Sequence, residues 1–208
     1  MTMTDYFASL DEPRRPWIEP DPLKAKFLAL SANAHPDRFH AAPDAEKQAA
    51  GARYAELNTA WQCLRDTKDR LLHLLELERG FKPDGIEDVP ADFTSMFMEA
   101  GQFCHELDLF LLERSRASSP MLRVQMFTQS MEWTQRVNLV LPRLTSQRAA
   151  LEAELRALNP AWEAAPPVGH ATRAASLPLD RLEQVYRKMS YVSRWIGQLQ
   201  ERVVQLSL

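Results

Sequence analysis

The stretch SANAHPDRFH, residues 31–40, carries the tripeptide His35-Pro36-Asp37 between two segments of helical periodicity. Proline restricts the preceding residue to extended geometry and lacks a backbone N–H group, so a helix that reaches His35 should end there. His35 and Asp37 are then held on an exposed turn, where an aspartate is suited to pair with an arginine of a partner protein. For an isolated tripeptide, a helix stop with a solvated charge is a serious alternative.

Apolar residues recur at steps of three and four on both sides of this turn, as expected for helices. Before it, a short helix should start near Pro22 and present one apolar face, formed by Leu23, Phe27, Leu30 and Ala34. After it, a helix from about Asp44 to Leu64 has a face formed by Tyr54, Leu57, Trp61 and Leu64. The two helices are predicted to pair antiparallel. A leucine-rich helix over residues 71–77 follows, and Gly80 and Pro83 should end it.

Residues 81–91 read as a linker, and three more amphipathic segments follow it. The inward positions are Phe93, Phe97, Ala100, Cys104, Leu107 and Leu111, then Leu122, Met126, Trp133, Val137, Val140 and Leu144, and finally Leu182, Val185, Met189, Val192, Ile196, Leu199, Val203 and Leu206. Pro142 predicts a kink or break. The proline-rich residues 159–178 are predicted to form a loop.

These patterns predict an all-α protein with two domains. An N-terminal helical hairpin domain spans residues 1–80, the linker spans residues 81–91, and a three-helix bundle spans residues 92–208, with the loop at 159–178. Each amphipathic helix can bury its apolar face only against the others.

The overall charge and the cysteines narrow the classes of function. The 208 residues include 25 basic and 28 acidic side chains, a net charge of −3, which argues against a surface built to bind nucleic acid. Cys63 and Cys104 lack the spacing of a zinc or disulfide motif, so no metal is expected. No GxGxxG or GxxxxGK phosphate-binding loop occurs, and no cofactor is expected. There is no signal-peptide pattern and no long apolar run, so we expect a cytoplasmic protein without membrane contact.

The N-terminal part resembles the J-domain family, in which a helical hairpin carries the HPD tripeptide and docks on the ATPase domain of DnaK-class chaperones. Besides residues 35–39, the resemblance rests on Asp5-Tyr6-Phe7, Phe27, Leu57 to Trp61 with Leu64-Arg65, and Arg70 to Leu77. Within that family, the chain is most similar to the iron–sulfur co-chaperones called HscB in bacteria. Phe97-Met98-Glu99 and residues 187–191 extend this similarity into the C-terminal part.

The resemblance implies an L-shaped co-chaperone that is not itself an enzyme. It would stimulate ATP hydrolysis by a DnaK/HscA-class chaperone and deliver an iron–sulfur cluster scaffold protein through its bundle. The implied chaperone-binding residues are Lys24, Lys26, His35, Pro36, Asp37 and Arg38. The implied scaffold-binding residues are Phe97, Met98, Gly101, Gln102, His105 and Tyr191. Eukaryotic relatives often carry an N-terminal cysteine tetrad, and its absence here favours a bacterial form.

The chain departs from the family pattern at both sites. Ala34 stands where tyrosine is usual, and Ser31 and Asn33 replace basic or longer polar residues. The surface that should bind the chaperone therefore carries few positive charges. Gly101, Gln102 and His105 replace apolar and acidic residues. From the residues alone, Lys24 and Lys26 also fit ordinary solvated surface, and Phe97, Met98 and Tyr191 equally fit the bundle core.

Other functions stay open at this point. The bundle could bind a different client or drive oligomerisation, or the protein could be a helical scaffold whose methionines and aromatic residues bind an amphipathic segment. Catalysis has little support. Cys104-His105 beside Glu99 and Glu106 suggests a thiol site, but adjacent helical residues point about 100° apart, so Cys104 should pack inward and His105 should face outward.

Overall fold

A computed structural model describes residues 3–83 and 93–207 of the chain. Within these ranges every regular element is helical, as predicted. The elements are α1 (Tyr6–Ser9), α2 (Pro20–Ala34), a single 3₁₀ turn (Pro36–Phe39), α3 (Asp44–Arg65), α4 (Thr67–Arg79), α5 (Thr94–Ser115), α6 (Pro120–Glu163), α7 (Arg173–Ser176) and α8 (Leu179–Ser207). None of the helices in these ranges has the length and apolarity that crossing a membrane requires.

The chain divides into two compact units, which we describe separately. The N-terminal unit comprises Met1–Asp84 and Glu154–Tyr186, and the bundle unit comprises Gly85–Ala153 and Arg187–Leu208. The long helices α6 and α8 therefore each contribute residues to both units. The predicted linker 81–91 lies outside the described residues except for residues 81–83.

In the N-terminal unit, α2 and α3 pair antiparallel, which confirms the predicted hairpin. The ring of Phe27 stacks on Trp61 with 4.9 Å between centroids, while His35, directly after the end of α2, contacts Tyr54, seven residues before Trp61 in α3. Helix α4 begins where the carboxylate of Asp66 accepts the Asp69 N–H group, and it ends at Gly80. Gly80 has a φ of 80°, a left-handed conformation that favours glycine.

Residues 154–186 pack in the N-terminal unit, whereas the sequence pattern places them in the C-terminal bundle. Two polar contacts account for this difference. The amide of Asn159 accepts from the Trp17 N–H group and donates to the Trp17 carbonyl, both at 2.9 Å. The guanidinium of Arg173 donates two hydrogen bonds of 2.9 Å to the carboxylate of Glu78, and both side chains are buried.

The prediction of a loop over residues 159–178 is wrong at its start. Helix α6 continues through Pro142 and Pro160 to Glu163 as one element, and α7 adds a short helical turn at residues 173–176. Proline inside a helix is unfavourable, and tertiary contacts offset this cost at Pro160. Asn159 is hydrogen-bonded to Trp17, and the side chain of Trp162 is buried. Residues 164–172 and 177–178 remain outside the helices.

The bundle unit contains three helical segments, as predicted: α5, residues 120–153 of α6, and residues 187–207 of α8. Its core includes Ala100, Cys104, Leu107, Phe110, Met126, Val137, Leu144, Met189, Val192, Ile196, Leu199 and Leu206. Most of these side chains occupy the inward positions that the three-four spacing predicts. Cys104 is buried and His105 is exposed, which confirms their predicted opposite orientations.

Candidate functional site

The HPD turn, residues 35–38, is fixed by short-range hydrogen bonds. His35 has extended geometry, with φ −62° and ψ 129°, as expected for the residue before a proline. Its Nδ1 accepts the N–H group of Asp37 at 3.3 Å, and its carbonyl accepts the N–H group of Arg38 at 3.0 Å. The imidazole also lies edge-on against the ring of Tyr54, with 5.3 Å between centroids. The turn is therefore braced by α3 as well as by its own backbone.

Asp37 projects from this turn into solvent. Its side chain is 90% exposed, and a carboxylate oxygen lies 3.6 Å from Nδ1 of His35. That nitrogen accepts the Asp37 N–H group, so the contact does not engage the carboxylate strongly. The carboxylate is accessible to a guanidinium, which binds carboxylates through two parallel N–H donors.

The other residues implied in chaperone binding have different surroundings. Arg38 is exposed, and its Nη1 donates to the Ala32 carbonyl at 3.4 Å and to Oδ1 of Asn33 at 3.2 Å, near the C-terminus of α2. Lys24 is exposed. Lys26 is held by the protein itself, because its ammonium lies 2.7 Å from Oε1 of Glu12 and donates to the Asp11 carbonyl at 3.0 Å.

Four of the six residues implied in scaffold binding lie on one outward face of α5. Met98 is 65% exposed, and Gly101, Gln102 and His105 are also exposed. Steps of three and four place these positions on one side of a helix. Leu109 and Leu112 continue the same spacing and are about half exposed. We call this surface the α5 outer face: Met98, Gly101, Gln102, His105, Leu109 and Leu112.

Phe97 and Tyr191 instead pack inside the bundle unit. Tyr191 is only 5% exposed, and the Phe97 ring meets it edge-on at 5.2 Å between centroids. Both rings also contact Trp195. Of the two alternatives that the sequence left open, the structure places Tyr191 in the core and leaves Phe97 half-buried against it. Of Phe97, Met98 and Tyr191, only Met98 has an exposed side chain.

Ion pairs surround the α5 outer face. Glu99 pairs with Arg143, Glu106 pairs with Arg136, and Asp108 accepts two hydrogen bonds from Arg202. Hydrogen bonds from Gln102 and Arg136 hold the pKa of Glu106 below its ordinary value, so this carboxylate is ionised at neutral pH. Because these carboxylates are matched by arginines of the same unit, the α5 outer face presents mainly apolar and neutral polar groups.

The cysteines do not form a reactive site. Burial raises the pKa of the Cys63 thiol to about 12, with Asp69 adding to the effect, and burial also raises the pKa of the Cys104 thiol. Both thiols are therefore protonated and poorly nucleophilic at neutral pH. Among residues 3–83 and 93–207, no three histidine, cysteine, aspartate or glutamate side chains are grouped so that they could hold a metal ion.

The sequence analysis missed two kinds of residue at these candidate sites. Leu109 and Leu112 extend the α5 outer face, and the three-four spacing that begins at Met98 is a signal that could have found them. Glu12 controls the position of Lys26, but it lies fourteen residues earlier in a segment without periodicity. No local pattern predicts that contact.

Comparisons with known proteins agree with the resemblance inferred from the sequence at the level of fold. No model of a known protein family matches the chain. The chaperone HscB from Vibrio cholerae is 20% identical with a TM-score of 0.56, over 98% of this chain and 99% of that one. The human co-chaperone protein HscB is 18% identical with a TM-score of 0.57, over 95% of this chain and 81% of that one. The chain therefore has the all-helical fold of the HscB co-chaperones.

Proposed function

We propose that the protein is a co-chaperone that stimulates ATP hydrolysis by a DnaK/HscA-class chaperone and delivers an iron–sulfur cluster scaffold protein to it. The observation that carries this proposal is the placement of Asp37, 90% exposed on a turn held by hydrogen bonds and by Tyr54. Similarity in fold to two HscB proteins over nearly the whole chain supports it. The protein would act without a cofactor of its own, in the bacterial cytoplasm.

In the proposed mechanism, the carboxylate of Asp37 pairs with an arginine of the chaperone and favours the chaperone's hydrolysis-competent state. Pro36 and the two hydrogen bonds of His35 limit the motion of this carboxylate before binding. A pre-organised turn loses less conformational entropy when it binds, so more of the interaction energy is available for docking. ATP and its hydrolysis stay on the chaperone, and this chain holds no group that reacts.

The α5 outer face is the proposed contact for the scaffold protein. Met98, Leu109 and Leu112 supply apolar area, and His105 and Gln102 supply polar groups between them. Interfaces derive most of their binding energy from a few buried apolar anchors. Leu109→Asp should therefore weaken scaffold binding by about tenfold or more, because a buried carboxylate would have no partner. Leu139→Asp, on an exposed position of α6, is the matched control.

Single-turnover ATP hydrolysis by the DnaK-class chaperones of the source organism tests the proposal, with the wild-type protein and a purified cluster scaffold added in turn. Stimulation that rises further with scaffold is the expected result. If the stimulated rate does not change when the scaffold is added, only the J-domain activity is supported, and the bundle has a different client. A chaperone that responds to neither addition would contradict the proposed function.

A specific feature favours a second client-binding candidate for the bundle. Val124, Phe127 and Met131 are exposed on one side of α6, and Phe127 and Met131 line a cavity of about 440 Å³ with Arg114 and Leu206. An apolar helical segment of a partner fits such a surface. If the α5 variants bind scaffold normally and Phe127→Asp does not, this surface is the client site instead.

A further inference from the structure

Lys26 is one of two basic residues in α2, and its ammonium is directed toward residues 10–19, the segment between α1 and α2 that we call the N-terminal arm. Its Nζ lies 2.7 Å from Oε1 of Glu12 and 3.0 Å from the carbonyl oxygen of Asp11. The second oxygen of Glu12 binds Nη2 of Arg15 at 3.0 Å. The Glu12 side chain is only 2% exposed. A nearly buried carboxylate requires such partners, because an unpaired charge there would be costly.

The backbone of the arm is shaped to make this contact. Asp11 has a φ of 53°, and no other residue except glycine in the described part of the chain has a positive φ. The left-handed conformation is unfavourable for a residue with a side chain, although aspartate tolerates it better than most residues. In this conformation the Asp11 carbonyl accepts from Lys26 while Glu12 turns inward. Two features that are unfavourable on their own, a strained residue and a buried carboxylate, thus both engage Lys26.

The charge of Lys26 is matched locally by the Glu12 carboxylate, which also pairs with Arg15. The carbonyl of Asp11 adds an uncharged acceptor to the Lys26 ammonium. Lys24 differs, because none of the described side chains forms an ion pair with it. Between Lys24 and the HPD turn, the exposed residues of α2 are uncharged: Ala25, Leu28, Ala29, Ala32 and Asn33.

We propose that Glu12 is a positioning residue that determines the charge of the chaperone-docking surface. By holding Lys26 against the N-terminal arm, Glu12 leaves Lys24 as the cation that α2 presents to a partner. Docking would then depend weakly on long-range charge and more on contact with the uncharged face of α2 and with Asp37. The inference rests on the proposed function, because it concerns the same docking event.

Association rates of the full-length protein with its chaperone, measured by stopped flow at several salt concentrations, test this inference. Electrostatic steering raises association rates in a salt-dependent way, which a purely structural role of Glu12 would not change. Lys24→Met should slow association severalfold at low salt and flatten the salt dependence. Lys26→Met alone leaves the Glu12 carboxylate without its lysine, so the charge of Lys26 is tested in a double variant that also removes the charge of Glu12.

The decisive variant is one that releases Lys26 from its ion pair with Glu12. Glu12→Gln should raise the association rate severalfold at low salt and steepen its salt dependence. Asp11→Asn is the matched control, because it removes the same charge nearby, keeps the carbonyl, and suits the left-handed backbone. Its rate should rise much less. The double variant Glu12→Gln/Lys26→Met should return the rate to about the wild-type value, and circular dichroism should show that each variant is folded.

The outcomes separate this inference from the proposed function. If the double variant Glu12→Gln/Lys26→Met slows association as much as Lys24→Met, or if Glu12→Gln associates no faster than Asp11→Asn, the role of Glu12 is overturned and the co-chaperone function stands. If the wild-type protein associates with no chaperone of the source organism, the proposed function fails and this inference fails with it.

Discussion

At the scale of single residues, the exposed Asp37 contrasts with buried charges that the protein has paired internally. Glu78 and Arg173 are nearly inaccessible and share two hydrogen bonds, and Arg14 lies 3.7 Å from the same carboxylate. A carboxylate in such a place is stable only with its partners, because burial removes its hydration. By contrast, no arginine or lysine among the described side chains forms an ion pair with the Asp37 carboxylate. This carboxylate is therefore available to another protein.

Removing one partner of the buried pair tests its importance. Arg173→Met should lower the free energy of unfolding by about 3 kcal/mol, since it leaves Glu78 buried with only the more distant Arg14. Arg143→Met removes an exposed partner of Glu99 and should cost less than about 1 kcal/mol. Urea denaturation followed by circular dichroism measures both values. Equal losses in the two variants would mean that burial of the Glu78–Arg173 pair has no special weight.

A buried histidine predicts how stability depends on pH. His73 accepts the Tyr6 N–H group through Nε2 at 3.2 Å, and burial lowers its pKa, with Asp5 and Arg14 acting in opposite directions. The unfolded chain therefore binds this proton more readily than the folded protein does, and stability increases with pH. The contribution should be complete above about pH 6.5 and should decrease as the pH falls below that value.

His73→Gln keeps a hydrogen-bond acceptor but cannot titrate in this range, so it provides the comparison. The free energy of unfolding of the wild-type protein should fall more steeply than that of the variant as the pH is lowered from neutral. Urea denaturation over a pH series gives both curves. Parallel curves would show that His73 has no part in the acid sensitivity.

At the scale of elements, the local signals in the sequence predict where the helices begin and end. Pro36 and Gly80 stop α2 and α4 at the expected places, and the three-four spacing predicts the buried side of α5 and α8. Pro142 and Pro160 were misleading, because α6 passes through both. Proline in a helix costs about 3 kcal/mol, and the contacts of Asn159 and Trp162 can offset that cost at Pro160.

Two glycines, one at the end of α4 and one inside α5, should respond oppositely to substitution by alanine. Gly101 lies inside α5 with open space where a Cβ atom would be, so Gly101→Ala should stabilise the protein by about 0.5–1 kcal/mol. Gly80 has a φ of 80°, so Gly80→Ala should destabilise it by about 1 kcal/mol. Thermal unfolding of the two variants checks the signs. A loss of stability in Gly101→Ala would indicate that the α5 outer face needs glycine for another reason.

At the scale of the whole molecule, the sequence predicts the fold class and the HPD turn, but it does not predict which segments pack together. Contacts such as Trp17 with Asn159 and Glu78 with Arg173 join residues that are 142 and 95 positions apart. Contacts between such distant residues produce no periodic pattern in the sequence. The apolar spacing alone therefore assigns residues 154–186 to the bundle. A sequence also does not distinguish aromatic residues of the core from those of the surface. That Tyr191 is a core residue becomes clear only from its contact with Trp195 in the structure.

The central claim is that the Asp37 carboxylate acts on a chaperone. The most direct measurement compares the single-turnover rate of ATP hydrolysis by the partner chaperone with wild-type protein, Asp37→Asn and Asp44→Asn. Asp44 is the matched control, because its side chain is equally exposed and the same charge is removed. The account predicts that Asp44→Asn stimulates hydrolysis like wild type and that Asp37→Asn, although folded, does not. Stimulation by Asp37→Asn at the wild-type level would contradict it.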